Sequence, residues 1–453
     1  MGPRRAQNRA HNGQLESPSR SFESLLNAAE AKQQQAERRS AIPLYDEAIA
    51  LFEQALALAN ETSGCVTPDE RQNATILLAE AIQNKCELFL KLWEAEGQHQ
   101  GGTDPLGLLG EYTIEHEAAV LGQAYDMLRT SAMRYKSSST SPLPTSPSST
   151  SGSPLSRLRV DALVNLGNTL SLLTTVATDP AEIDGMYGES VACYDQALIS
   201  EDDATTRNNK GDTLVAYAEF LAEHGKGDQA EQTYDAALRA YESAVQLSDS
   251  QKGDNLPMLL LDYASAFLSM AEFCFKTQKD GDRALRLLEE AEKRLKLSVS
   301  FGRGSPAVHT ALGEVYLLVG EIQGNIDVLD AASESFADAL RIQRTDVDGL
   351  VGAAETAVEK AKITLSAAEA AQLYAQAASF YRSAFGSNKF SGTLRQKSDS
   401  LYNYACCLSA LALKDETGKD GVAEAKRIVG ALIAKGLVTQ AEVAADTDLS
   451  LCL

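Results

Sequence analysis

One three-residue pattern returns six times along this chain, and each occurrence dictates a helix that needs a neighbour. A small residue is followed four positions later by an aromatic residue or Leu, and three positions after that by Ala. The copies are Ala48-Phe52-Ala55, Ser190-Tyr194-Ala197, Ala230-Tyr234-Ala237, Ala284-Leu288-Ala291, Ala332-Phe336-Ala339 and Ala377-Tyr381-Ala384. Steps of four and three return to one face of an α-helix, so each triplet is a stripe with two small residues flanking a large one. The small residues let a second helix approach closely, and the large side chain fills the groove between the two. An isolated helix cannot bury such a stripe, so each copy demands a packed partner.

The partner helices carry a signature of their own. Upstream of the triplets lie Leu166-Gly167 with Leu170, Lys210-Gly211 with Leu214, Tyr263-Ala264 with Phe267, Leu312-Gly313 with Tyr316, and Val351-Gly352. A last copy is Tyr404-Ala405 with Leu408. Together the two signatures resemble the tetratricopeptide repeat, whose first helix carries Leu-Gly-x-x-Tyr and whose second carries Ala-x-x-x-Phe-x-x-Ala. The stretch Tyr402-Asn403-Tyr404-Ala405-Cys406 is similar to a first helix of that family, and Asp446-Thr447-Asp448-Leu449 to the short segment that follows a final repeat. The resemblance covers most of residues 155–436. It implies an all-α, right-handed superhelical solenoid of antiparallel helix pairs that binds another protein.

This chain departs from the family pattern in length. From Gly211 to Ala230, and again from Gly313 to Ala332, the separation is 19 residues, against about 12 in the family pattern. The excess amounts to about two helical turns, one for each helix of a pair. Eight pairs are expected, over residues 22–60, 68–136, 155–200, 202–249, 255–301, 305–343, 346–388 and 391–436. The domain reading follows: an unstructured tail over 1–20, divergent helical pairs over 22–136, and a Ser/Pro-rich disordered linker over 137–154. The main array spans 155–436 and a capping segment 437–453. The linker, SSSTSPLPTSPSSTSGSP, holds almost nothing that could be buried to offset the entropy of ordering.

Helix starts are punctuated. Thr67-Pro68-Asp69-Glu70 and Asp179-Pro180-Ala181-Glu182 each combine a capping side chain, a first-turn proline and a Glu at the third helical position. Ser366-Ala367-Ala368-Glu369 and Thr439-Gln440-Ala441-Glu442 are capping boxes without the proline. No segment has the alternating, β-branched character of a strand.

Charge and motif content narrow the function. With 63 acidic against 41 basic residues the formal net charge is −22, which disfavours nucleic acid, since phosphate binding needs clustered Lys and Arg. Seven scattered cysteines form no C-x-x-C pair, so neither a zinc site nor a dithiol motif is expected. No uninterrupted apolar run of about 18 residues is present, so no membrane insertion is expected. The start of the chain lacks an apolar signal stretch; a cytoplasmic location is expected, with Arg4, Arg5 and Arg9 leaving nuclear entry open. There is no Gly-rich phosphate loop, no H-E-x-x-H and no G-x-S-x-G, and the five histidines are dispersed. The sequence therefore predicts no cofactor, no metal and no enzyme activity.

What remains is a binding surface. The resemblance implies a groove lined by first helices, with the residue after each small position facing it. Those residues are Asn168, Asp212, Ser265, Glu314 and Cys406, with Asn165, Asn208 and Asn403 nearby. Amides there can hydrogen-bond an extended backbone, and carboxylates can meet Lys or Arg. Lys210-Gly211-Asp212 is close to the Lys-Gly-Asn with which one subfamily grips the acidic tail of heat-shock chaperones. Asp212 would repel that tail, so the tail is not an expected ligand. The function expected is a scaffold or chaperone-like adaptor holding a basic peptide or protein in an acidic groove. The alternative is a structural subunit packed permanently into a larger assembly.

Overall fold

The computed structural model describes residues 18–62, 65–98, 114–139, 154–251, 255–301, 304–386, 394–414, 419–449 and 451. Among the described residues the secondary structure is helical, with no extended strand. Sixteen helices follow one another in pairs: α1 (Pro18–Arg39) with α2 (Ile42–Glu61), α3 (Pro68–Gln98) with α4 (Ile114–Ser139), α5 (Pro154–Thr174) with α6 (Pro180–Ser200) and α7 (Ala204–Glu223) with α8 (Gly227–Gln251). The next pairs are α9 (Leu256–Phe273) with α10 (Gly281–Ser300), α11 (Pro306–Gln323) with α12 (Ile326–Ile342), α13 (Val347–Ile363) with α14 (Ala367–Phe385) and α15 (Leu394–Lys414) with α16 (Lys419–Ala434). A short α17 (Gln440–Ala445) and a 3₁₀ turn over Thr447–Leu449 complete the described chain. These agree with the eight pairs expected from the sequence.

The caps form where the sequence places them. Thr67 and Glu70 exchange hydrogen bonds, 2.7 Å from the Thr67 N–H to the Glu70 carboxylate and 3.2 Å from the Glu70 N–H to the Thr67 Oγ. Asp179 accepts from the Ala181 N–H, Ser366 from the Glu369 N–H, and Thr439 with Glu442 closes a full capping box. Each such cap satisfies an orphan N–H of a first turn and is worth about 1 kcal/mol.

The residues divide into two compact units. The first comprises residues 1–89 and 127–165, the second residues 90–126 and 166–453. Residues on both sides of the Ser/Pro-rich segment therefore belong to the first unit; residues 140–153 of that segment, like 1–17 of the tail, lie outside the described residues. In the first unit Phe52 and Ala48 of α2 pack with Ala29 of α1 and with Leu78, Ala81 and Ile82 of α3. The Ser131 hydroxyl of α4 donates to the Ala79 carbonyl at 2.8 Å, tying α4 to α3.

In the second unit the triplets build the core. Across all six copies in the chain, no triplet residue is more than 2% exposed. Burying each large member contributes about 1.5–3 kcal/mol. The pairing is antiparallel: a Cβ added at Gly320 would meet Leu329, and one added at Gly313 would meet Phe336, so one helix descends as its partner rises. First helices also pack on one another, α7 on α9, α9 on α11 and α11 on α13, whereas among the described residues α8, α10, α12 and α14 share no comparable packing. The first helices are thus the inner, crowded layer of this unit, and the second helices the outer one.

One irregularity matters for the site. α9 runs on into a five-residue π segment, Cys274–Gln278, closed by Lys279 at φ 60° and a 3.0 Å hydrogen bond from the Asp280 N–H to the Cys274 carbonyl. The combined stretch Leu256–Gln278 is long and apolar enough to cross a membrane by length and composition, but 67% of its most apolar window is buried among neighbouring helices. A helix covered on both faces must be apolar all round, which accounts for its composition.

Candidate functional site

The inner layer of the second unit carries a row of acidic side chains. Asp212 and Glu219 lie on α7, Asp262 and Glu272 on α9, Glu314 and Glu321 on α11, and Asp348, Glu355 and Glu359 on α13. The heptad step is what aligns them. Asp212 to Glu219, Ser265 to Glu272 and Glu314 to Glu321 are each two helical turns apart, which returns them to the same face. Where first helices stand side by side, these faces share one surface.

Burial, and after it the crowding of like charge, shows in the titration of the row. Burial pushes the Glu314 carboxyl up to about 7, helped by the charges of Asp348, Glu272, Glu355 and Asp346. Glu355 is likewise pushed up to about 7 by burial and by Glu272 and Glu359, with Lys276 opposing and an amide hydrogen bond from Asn403. Asp212 rises to about 6 for the same first reason, with the Tyr241 hydrogen bond opposing and Asp262 adding to the rise. Glu219, Glu321, Asp262 and Asp348 are also raised, burial being the first cause in each. Carboxylates that are reached by solvent yet walled in by helices lose much of their hydration, and each opposes ionisation of the next.

The residues expected to face the groove have different fates. Ser265, Asp212 and Asn403 are exposed, and Glu314 is half-buried. Asp212 accepts a 2.5 Å hydrogen bond from the Tyr241 hydroxyl, which fixes one carboxylate oxygen. Asn208 is only 8% exposed. Its amide donates inward, to Asp212 at 3.3 Å and to Asp262 of the next first helix at 3.0 Å. It therefore bridges two acids rather than offering itself to a ligand. Asn168 accepts from Tyr194 at 2.8 Å and from Asn209 at 3.1 Å, so it too is engaged within the array. Asn165 falls in the first unit, beside the buried Tyr135. The structure thus brings Asn208, Asp212 and Asp262 together and sets Asn403 against Glu355.

Sequence reading passed over Glu219, Asp262, Glu272, Glu321, Asp348, Glu355 and Glu359. The signal for three of the acids was the same register carried two turns further. Glu355 had no such signal, because the residue after Gly352 is Ala353 and the acid stands elsewhere on the turn.

At the end of the row lies a cavity of about 370 Å³, walled by residues of α11, α13, α14 and α15, by Lys276 of the π segment and by Asp446. Glu321, Glu355, Glu359 and Asp446 supply its carboxylates, and Tyr374, Tyr381 and Tyr402 its rings. Among the described residues no group of three or more His, Cys, Asp or Glu side chains is arranged to hold a metal ion.

The described fold is an all-α array of antiparallel helix pairs in a tetratricopeptide-like register, with elongated helices and an acidic inner layer. No protein-family model matches the chain, and no curated protein does. Among solved structures the chain is similar to the apo form of RapI, at 12% identity and a TM-score of 0.41 over 92% of this chain and 99% of that one. It is similar to the nuclear import adaptor Nro1, at 10% identity and a TM-score of 0.39 over 74% and 98% of the two chains. It is also similar to a tetratricopeptide repeat protein from Parabacteroides merdae, at 13% identity and a TM-score of 0.38 over 74% and 93%. At TM-scores of 0.41 and below these likenesses add nothing to the fold, which the helix pairing itself establishes.

Proposed function

We propose that the chain is a protein-binding scaffold whose inner, acidic layer holds a basic peptide or a basic segment of a partner protein. One observation carries the reading: Asp212, Glu314 and Glu355 sit in a shared row where like charge is crowded and only partly hydrated. A Lys or Arg entering the row relieves that repulsion and replaces lost water with charge-assisted hydrogen bonds. Each contact at a partly exposed position is worth about 0.2–1 kcal/mol, so several must act together. Complementary charge chiefly speeds association. An acidic tail would meet repulsion along the whole row.

The test is the association rate of a fluorescent Lys/Arg-rich peptide against ionic strength. For the unaltered chain the rate should fall steeply as salt rises, because screening shortens to about 8 Å at physiological strength. Asp212→Lys with Glu314→Lys should slow association and flatten the salt dependence, with helicity unchanged. A salt-independent rate in the unaltered chain would remove the electrostatic reading.

A second reading, a subunit packed permanently in a larger assembly, draws on a different feature. Ile199, Leu297, Phe301 and Ile342 lie at the C-terminal ends of second helices and are 78%, 48%, 54% and 50% exposed. Apolar side chains along one edge are natural contacts for a permanent neighbour. A chain that stays monomeric and soluble at high concentration would rule against it.

A further inference from the structure

The cavity at the end of the acidic row contains half of an arrangement that is completed twice elsewhere among the described residues. Arg294 lies with its guanidinium 4.4 Å from the centre of the Tyr263 ring and 4.6 Å from that of Phe267, while it donates to the Glu290 carboxylate at 2.7 Å. Arg382 lies 5.7 Å from the Tyr404 ring and donates to Glu424 at 3.1 Å. Each is a guanidinium shared between an aromatic face and a carboxylate. In the cavity the half-buried Tyr402, its hydroxyl donating to Asp446 at 2.8 Å, stands with Glu321, Glu355 and Glu359 over the buried rings of Tyr374 and Tyr381, and no arginine is among the lining residues.

The resident cations do not fill that role. Lys362 is paired with Glu359 at 2.6 Å, and Lys276 with Glu272 at 2.8 Å. Among the described residues Glu321 and Glu355 form no direct ion pair; the charge of Lys276 reaches both, and that of Lys362 reaches Glu321, only from a distance. The cavity therefore keeps an excess of negative charge next to ring surface. A volume of about 370 Å³ stands near the low end of pockets that enclose a small ligand. It suits one long side chain with its waters.

We propose that this cavity is the anchor for a single arginine side chain of the basic partner segment. The proposal rests on the groove reading for its partner but names a separate place and a separate chemistry. Arginine suits it better than lysine. A planar guanidinium can lie on a ring and offer five donors in a fixed fork to separate carboxylates, whereas an ammonium is a compact, strongly hydrated charge with three.

The test uses the full chain and three small probes: N-acetyl-argininamide, N-acetyl-lysinamide and the neutral isostere N-acetyl-citrullinamide. Calorimetric titration should show saturable binding of the arginine probe, weaker binding of the lysine probe and none of the citrulline probe. Glu355→Gln should weaken the arginine probe about tenfold, the consequence of losing one charge-assisted partner. Glu289→Gln, on an exposed carboxylate of α10 outside the cavity, should leave the affinity unchanged. Location is read separately from alkylation of Cys406, which lines the cavity, with exposed Cys65 as internal reference. The arginine probe should slow alkylation of Cys406 and leave Cys65 unaffected. Should Glu355→Gln lose helicity, Cys406 protection in the unaltered chain decides. Absent saturable binding, unprotected Cys406, or an unchanged affinity in a folded Glu355→Gln chain overturns the anchor. If the basic peptide still associates in a salt-sensitive way, the groove reading stands without it. If the arginine probe binds and the peptide does not, the anchor stands and the groove reading falls.

Discussion

The ring of Phe336 on α12 lies directly against the backbone of Gly313 on α11, so close that a Cβ at that glycine would stand 2.7 Å from two ring carbons. The same ring presses on Gly352 of the following first helix, and Phe336 is fully buried. A side chain at Gly313 therefore has nowhere to push it. Gly313→Val should cost about 1–3 kcal/mol through overpacking, with a further loss from β-branching inside a helix. Ser265→Val, at the exposed position after the small residue of α9, should be nearly neutral. Equal melting temperatures for the two variants would show that Gly313 does not face the Phe336 ring.

The Ser/Pro-rich segment gives a second test. Residues 127–165 belong to the first unit on both sides of it. Glu80 on α3 is raised first by burial and by Glu37 and then by Asp161 of α5, and Asn165 stands beside Tyr135 of α4, so the first half of α5 lies within that unit. A single protease cut between residues 140 and 153 should therefore leave two fragments that co-elute on gel filtration under native conditions. Clean separation into two folded pieces would favour the domain boundaries read from the sequence, with the array beginning at 155 as an independent unit.

Much of the fold was legible because its signals are steric and local. The triplet around Phe336 needs a facing glycine, and Gly313 lies at the right distance upstream; caps such as Thr439 with Glu442 involve residues three apart. The repeat around Ala230 shows where such reading ends. Its triplet names Tyr234, yet the ring lying on Gly211 is Tyr241, two turns further along α8. Both tyrosines are buried, and longer helices give the first helix two ring contacts to choose from, which spacing alone cannot rank. The site was half legible for a similar reason. Asp212 and Glu314 follow from register within one helix. The pairing of Asn208 with Asp262, or of Asn403 with Glu355, depends on how neighbouring pairs are offset, and uneven loops hide that offset.

Titration of the row predicts how stability follows pH. Glu314 and Glu355 ordinarily titrate at 4.5 and are held up to about 7 in the folded chain. Between those values the folded state binds more protons than the unfolded one, so their contribution is fully present below 4.5 and is lost as pH rises through about 7. Denaturant midpoints should therefore fall between pH 5 and pH 8. Glu314→Gln with Glu355→Gln should flatten that slope and be more stable than the unaltered chain at pH 8. A parallel slope in the double variant would mean that neither carboxyl is perturbed.

Binding should be coupled to the same protons. A guanidinium placed in the row favours the ionised form of each neighbouring carboxyl, so it lowers what burial and like charge have raised. Asp212 at about 6, with Glu314 and Glu355 at about 7, are each partly protonated near pH 6.5. Association of an arginine-rich peptide at that pH should therefore release protons, and affinity should decline as the pH is lowered further and more of the row is neutral. Arginine stays charged throughout, so the peptide itself adds no protons to the balance. The measurement is calorimetric titration in two buffers of different ionisation enthalpy, at pH 6.5 and at pH 9. Heats should differ between buffers at pH 6.5, in the sense of proton release, and coincide at pH 9, where the row is already ionised. Asp212→Asn, Glu314→Gln and Glu355→Gln combined should abolish the difference at pH 6.5. Buffer-independent heats in the unaltered chain at pH 6.5, with the peptide bound, would mean that its charges lie away from this row. The acidic inner layer would then serve solubility rather than recognition.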